Sequence, residues 1–203
     1  FPTFSATNGG IFTFNGTTQG TAVIRGVLGD DFTLSTWFKT TSNAGSTGEW
    51  RSGRGLIDAS WNAGNDFGLT MGQGKLMFGT GSPNVTITSP STYNDGNWHN
   101  VIATRTKATG ALRMYVDGIL VASGTGGTNT LNLPGNLYIG NWVNQRLFEG
   151  SMSAIHMYNT ALSETQAQNN YDALKGRLGI AASATSTAGG TINFTDVSPA
   201  IKP

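Results

Sequence analysis

Two histidines and 11 carboxylates are all that this 203-residue chain offers for acid–base chemistry, and it has no cysteine for thiolate catalysis, disulfides or thiolate metal sites. Glycoside hydrolysis with retention needs two carboxylates about 5–5.5 Å apart. On a strand, residues i and i+2 share a face. No two acidic residues stand at that spacing, and the nearest pair of Glu residues is Glu149 and Glu164. Ser and Thr are plentiful, but a nucleophile needs a base, and only His99 and His156 could serve. Both read better as structural residues in strands. Two His so far apart, with no Cys, also make a poor zinc site. Gly124–Gly127 joins two strand-like runs and precedes no helix, so it is not a phosphate loop. The sequence therefore predicts a protein that is not an enzyme.

Binding chemistry has better candidates. Trp50, Trp61 and Trp142 sit among Gly, Asn and Arg in predicted loops, where an indole could stack on the apolar C–H face of a sugar. Arg51 and Arg54, with Glu49, give Trp50 a polar surround. The competing reading is that each Trp packs its own loop against a sheet edge. Trp37 and Trp98 fall within strand patterns and are expected in the core. Formal net charge is +1 with no basic run, which argues against nucleic acid and against an anionic membrane surface. No apolar stretch is long enough for a membrane-spanning helix, so no membrane insertion is expected. A chain that opens at Phe1, without an initiator Met or a signal-like segment, reads as a processed or excised domain. The sequons at Asn15, Asn84 and Asn193 are of the number that so Asn- and Thr-rich a sequence yields by chance.

The elements that must carry these residues are short strands. Gly (29 residues) and Asn punctuate runs rich in the 10 Phe, 5 Trp and 5 Tyr, which points to many turns around one sizeable core. Residues 11–14, 32–38, 56–60, 67–71, 75–79, 84–88, 98–105, 111–116, 119–123, 137–140 and 153–158 read as strands. In 32–38, Phe32, Leu34 and Thr36 share one face, and Thr33, Ser35 and Trp37 the other. Residues 41–55 read as a polar loop. Asp117-Gly118 between two β runs predicts a two-residue hairpin with both residues at positive φ. Ser163 with Gln166 makes a capping box for one short helix through Ala167, Tyr171 and Leu174, stopping at Gly176. Residues 1–180 are thus expected to form one domain. Residues 181–203 read as a flexible linker and tail, with 191–197 able to add one more strand.

The order of several segments resembles a known family. Residues 95–101 (DGNWHNV), 112–118 (LRMYVDG), 137–140 (LYIG), 148–150 (FEG) and 157–163 (MYNTALS) look like successive landmarks of laminin G-like and pentraxin-like domains in the concanavalin A-like lectin/glucanase superfamily. Residues 12–16 and 32–39 resemble the opening strands of that family, so the resemblance spans about residues 10–165. It implies an all-β, two-sheet antiparallel jelly-roll sandwich, here with one short C-terminal helix. The glucanases of this fold resemble one another in a Glu-x-Asp-x-x-Glu run, which this chain lacks. The resemblance makes calcium the candidate cofactor. Asn65 and Asp66 resemble the ligand pair that opens a strand in pentraxins, and Asn141, Asn144 and Gln145 stand where a second cluster of ligands would lie. That second cluster holds no carboxylate, and Asn and Asp here could equally cap loops. The expected role is a binding module for carbohydrate or a cell-surface ligand, with a glycan or surface protein as partner. The alternative is a structural domain that contacts other virion or adhesin subunits, since residues 173–180 (ALKGRLGI) resemble tails of phage and bacterial surface domains. Either reading puts the chain outside the cell, on a cell surface or on a virion.

Overall fold

The computed structural model describes residues 1–18, 20–24, 30–59, 64–131, 136–141 and 146–180. In chain order the strands are β1 (Thr3–Ser5), β2 (Ile11–Asn15), β3 (Thr21–Ile24), β4 (Phe32–Lys39), β5 (Arg54–Asp58), β6 (Phe67–Gly72) and β7 (Lys75–Thr80). They continue with β8 (Val85–Thr92), β9 (His99–Thr106), β10 (Ala111–Val116), β11 (Ile119–Thr125), β12 (Asn136–Ile139) and β13 (Glu149–Tyr158), and helix α1 (Glu164–Lys175) follows. Among the described residues these strands build two sheets, ordered β1-β2-β13-β4-β9-β10-β11 and β3-β12-β5-β6-β7-β8. Every pairing is antiparallel. This is the expected jelly-roll sandwich. Strands β1 and β3 are additions to the sequence reading: the first is three exposed residues, too short to show a period.

The alternation in β4 explains how the layers meet. Phe32 crosses the sandwich to Phe67 of β6 and Phe78 of β7, with ring centroids 4.4 and 6.2 Å away. Leu34 and Phe38 join the same core. Trp37 points the other way and stacks on Tyr171 of α1, centroids 5.4 Å apart and planes within 17°. Ala167 of α1 packs on Ile102 and Tyr115 in a second small core on that outer face. The helix thus buries the back of β4, and the strand is covered on both faces as far as Phe38.

Both turn signals hold. Asp117 and Gly118 take φ of 52° and 82°, as a type I′ hairpin requires. Ser163 accepts from the Gln166 amide while the Gln166 side chain accepts from Ser163 N–H, closing the capping box. The helix stop differs. Gly176 keeps right-handed helical angles, the chain tightens into a 3₁₀ turn over Gly176–Leu178, and Gly179 supplies the left-handed residue with φ 79°. The next residue, Ile180, returns its N–H to the Lys175 carbonyl, which closes the helix end.

Candidate functional site

Trp50 was a candidate to face a ligand, with packing of its own loop against the sheet as the competing reading, and its environment is that of the packed residue. The 41–55 stretch is not all loop: Trp50–Ser52 is a 3₁₀ turn, and β5 already starts at Arg54. The turn lays the indole on the outer face of β6 and β7, where Trp50 is wholly buried. Two glycines paired across the strands, Gly68 and Gly79, make the room. A Cβ on Gly68 would come within 2.6 Å of the indole, and one on Gly79 within 2.1 Å. Trp50 Nε1 donates to Asn84 Oδ1 at 3.0 Å, its backbone N–H to Thr86 Oγ1 at 3.1 Å, and its carbonyl accepts from Thr70 Oγ1 at 2.7 Å. No polar group of Trp50 is left for a sugar. The sequence carried one signal for this, glycine in the interior of two adjacent strands, which marks close approach of another group.

The predicted metal ligands gather at the same rim, but with arginines. Asp66 is buried and its Oδ1 accepts from Arg51 Nη2 at 2.9 Å. Asp58, also buried, pairs with Arg146 Nη2 at 3.1 Å. Arg146 Nη1 donates to the Arg51 carbonyl, which joins the two pairs into one network. Asn141 is buried beside Gly20 and Gly55. Asn65 is half-buried at the network's edge. Calcium takes six to eight oxygen ligands, whereas here each buried carboxylate already faces a guanidinium. Two charges would have to be added to a network that is balanced at zero, at the cost of desolvating them. The described part of the predicted set does not fit calcium. Arg54 lies in β5, away from the Arg51–Asp66 pair, with its stem against Gly45. Trp61, Trp142, Asn144 and Gln145 lie outside the described residues, as does the tail from 181.

A different cleft holds an accessible tryptophan. Trp98 was expected in the core, yet β9 begins only at His99, and Trp98 is half-buried in the turn before it. It lines a cleft of about 430 Å³ with Lys39, Asn97, His99, Asp117, Tyr171 and the turn after α1 (Leu178 to Ile180). The polar wall is ordered. His99 Nδ1 lies 2.8 Å from Asp117 Oδ2, and Nε2 lies 3.1 Å from Asp95 Oδ1. Asp117 Oδ1 accepts from Asn100 N–H at 2.8 Å. Asp95 accepts from both the backbone and side-chain nitrogens of Asn97, which hold its carboxyl down to about 2. Burial by itself would lower the His99 pKa, but Asp117 and then Asp95 outweigh it, and the net direction is upward. The residues in this cleft were all legible as framework. What was missed is that a helix 70 positions downstream, carrying Tyr171, comes to form its second wall.

A two-sheet antiparallel jelly roll, with loops and a terminal helix supplying clefts at its rims, defines a lectin-like sandwich. The chain belongs to the concanavalin A-like lectin/glucanases superfamily, whose laminin G-type model matches residues 5–168. It is 33% identical over 118 aligned positions to the Sushi, von Willebrand factor type A, EGF and pentraxin domain-containing protein 1 of Rattus norvegicus. That match covers 53% of this chain but 3% of the relative. The fold resembles a heptameric pentraxin from Limulus polyphemus (TM-score 0.59, 16% identity, 78% of this chain and 79% of that one). It also resembles domain 4 of AbnA, a GH43 extracellular arabinanase from Geobacillus stearothermophilus, solved in complex with arabinotriose (TM-score 0.67, 19% identity, 83% and 80%). The binding domain of Paraclostridial Mosquitocidal Protein 1 matches with a TM-score of 0.66 at 14% identity, over 85% of this chain and 45% of that one.

Proposed function

We propose that this domain is a non-catalytic module that binds an extracellular saccharide in the Trp98 cleft without help from calcium. The observation that carries the reading is the cleft itself. A half-buried indole and a phenol line a space that suits one or two sugar rings, and Asn97, Asp117 and Lys39 offer donors and acceptors around them. The arabinotriose held by one protein of the same fold supports saccharide as the ligand class. Three groups that acid–base chemistry could draw on are held in structural contacts. His99 is engaged at both ring nitrogens, and the buried carboxylates of Asp58 and Asp66 face arginines.

The experiment is a glycan array followed by calorimetry of the best saccharide against wild type and Trp98→Ala. Stacking is worth about 0.5–1.5 kcal/mol beyond area burial, so the variant should bind several-fold to more than tenfold more weakly while its unfolding temperature stays put. An affinity unchanged by Trp98→Ala would remove the cleft from the proposal. A second reading, an interaction domain that packs on another subunit, has one observation in its favour. Phe4 and Phe12 lie exposed with ring centroids 5.2 Å apart on the β1–β2 edge. A chain that sediments as an oligomer, and as a monomer after Phe4→Ser, would favour it.

A further inference from the structure

The turn that carries Trp98 is tied to the end of β4 by Gly96 N–H on the Thr40 carbonyl at 3.0 Å and to the β10–β11 hairpin through one side chain, and the chemistry of that second tie depends on a proton. Asp95 organises the turn through Asn97, and His99 pins Asp95 to the rest of the sheet through Nε2. The other ring nitrogen, Nδ1, holds Asp117 in the β10–β11 hairpin. Ionised carboxylates only accept hydrogen bonds, so both ring nitrogens must donate, and only the imidazolium can do that.

A neutral ring has one N–H to share between two carboxylates. Asp117 is the better holder of it. Its contact is shorter, its side chain is 30% exposed against 52% for Asp95, and its second oxygen is fixed by Asn100. On losing its proton, His99 therefore turns an Nε2 lone pair toward Asp95 Oδ1, and attraction becomes repulsion at 3.1 Å. The strand end stays anchored, the Gly96–Thr40 bond remains, and the Asp95–Trp98 turn loses its tie to the hairpin.

We propose that His99 is a proton-dependent latch on the cleft: the imidazolium locks the Trp98 turn against the β10–β11 hairpin, and deprotonation releases it. The proposal rests on the reading of the cleft as the binding site and adds its regulation. The titratable and charged groups around the ring are Asp95 and Tyr93 from the β8–β9 turn, Asp117 from the hairpin, Lys39 from the end of β4 and Tyr171 from α1. Tyr93 meets the imidazole edge-on at 5.1 Å and Phe38 backs it at 6.0 Å. Of these groups, imidazole is the one that ordinarily changes charge between about pH 5 and 8. The two carboxylates move that change upward, so the latched form persists to higher pH than a free histidine would allow.

The test has two arms on the full chain. In the first, without ligand, NMR follows the His99 imidazole through its titration, with His156→Gln to isolate the signal, while the hydrogen-exchange protection factor of the Asn97 amide is recorded. Protection should fall as His99 deprotonates. In His99→Gln, which has no proton to lose in this range, it should stay level. In the second arm, calorimetry of a saccharide found on the array should show wild-type affinity dropping toward tenfold per pH unit above the His99 pKa, as the competent fraction falls. The same profile should be flat in His99→Gln. Protection that does not change through the titration, or a His99→Gln profile like that of wild type, overturns the latch. A titrating latch with no saccharide bound by the chain keeps the latch and sinks the saccharide reading. Saccharide binding with no pH dependence does the reverse.

Discussion

Replacing Arg146 by Met tests whether the rim is an ion-pair network rather than a ligand site. Arg146 is largely buried and faces Asp58, whose side chain has no solvent exposure, at 3.1 Å. Met keeps most of the stem's volume but removes the guanidinium, along with the bond to the Arg51 carbonyl. Taking one partner from a buried pair costs about 3–5 kcal/mol, most of it the penalty for leaving the other charge in a low dielectric. That is a large share of the roughly 5–15 kcal/mol by which a domain is stable. Urea unfolding followed by intrinsic fluorescence should show a loss of that size at pH 8. The loss should shrink toward pH 5, because a buried carboxylate without its partner escapes the penalty by taking up a proton. Adding Asp58→Asn to Arg146→Met should recover much of the loss, and the cycle would give a coupling energy of at least about 1 kcal/mol. If Arg146→Met costs under about 1 kcal/mol at pH 8, or if the two substitutions simply add, the network is not what holds the rim. The case against calcium would then weaken with it.

Further outcomes follow from the same geometry. The melting temperature of wild type should be the same in millimolar calcium and in EDTA. A saturable calcium-dependent rise, lost in Asp66→Asn, would mean that an ion binds despite Arg51. Gly79→Ala should destabilise by at least about 1–3 kcal/mol as an overpacking change, because its Cβ would meet both the Trp50 ring and the Val85 carbonyl. Gly79→Ala with Trp50→Leu should recover part of that, and equilibrium unfolding measures both. Asp95, whose carboxyl is depressed from 3.8 to about 2, contributes stability that is present above its unfolded value and lost as pH falls from about 4 toward 2. His99 has the opposite sign: its raised pKa stabilises the fold below the unfolded value of 6.5, and this is lost as pH rises through the folded one. Asp95→Asn should therefore flatten part of the acid limb of a stability–pH curve, and an unchanged limb would refute the assignment.

The sequence by itself determined the sandwich, because its signals are local. The apolar alternation in the sequence of β4, the Asp117-Gly118 hairpin and the Ser163–Gln166 capping box each depend on residues within one or two turns of one another. The short β1, the late helix stop at Gly179 and the early start of β5 escaped, since each is decided by hydrogen bonds to neighbours rather than by a pattern. The site was much less legible. Trp50 reads as a loop aromatic and Trp98 as a core residue of a strand, and packing reverses the two. Facing glycines on β6 and β7 swallow the first, while a turn beside α1 leaves the second half open. Likewise Asp66 reads as a lone loop carboxylate until the fold sets Arg51 against it, and Asp58 until Arg146 arrives from far along the chain. A charge's meaning is set by what stands within a few ångströms of it, and in a jelly roll those neighbours come from strands remote in sequence.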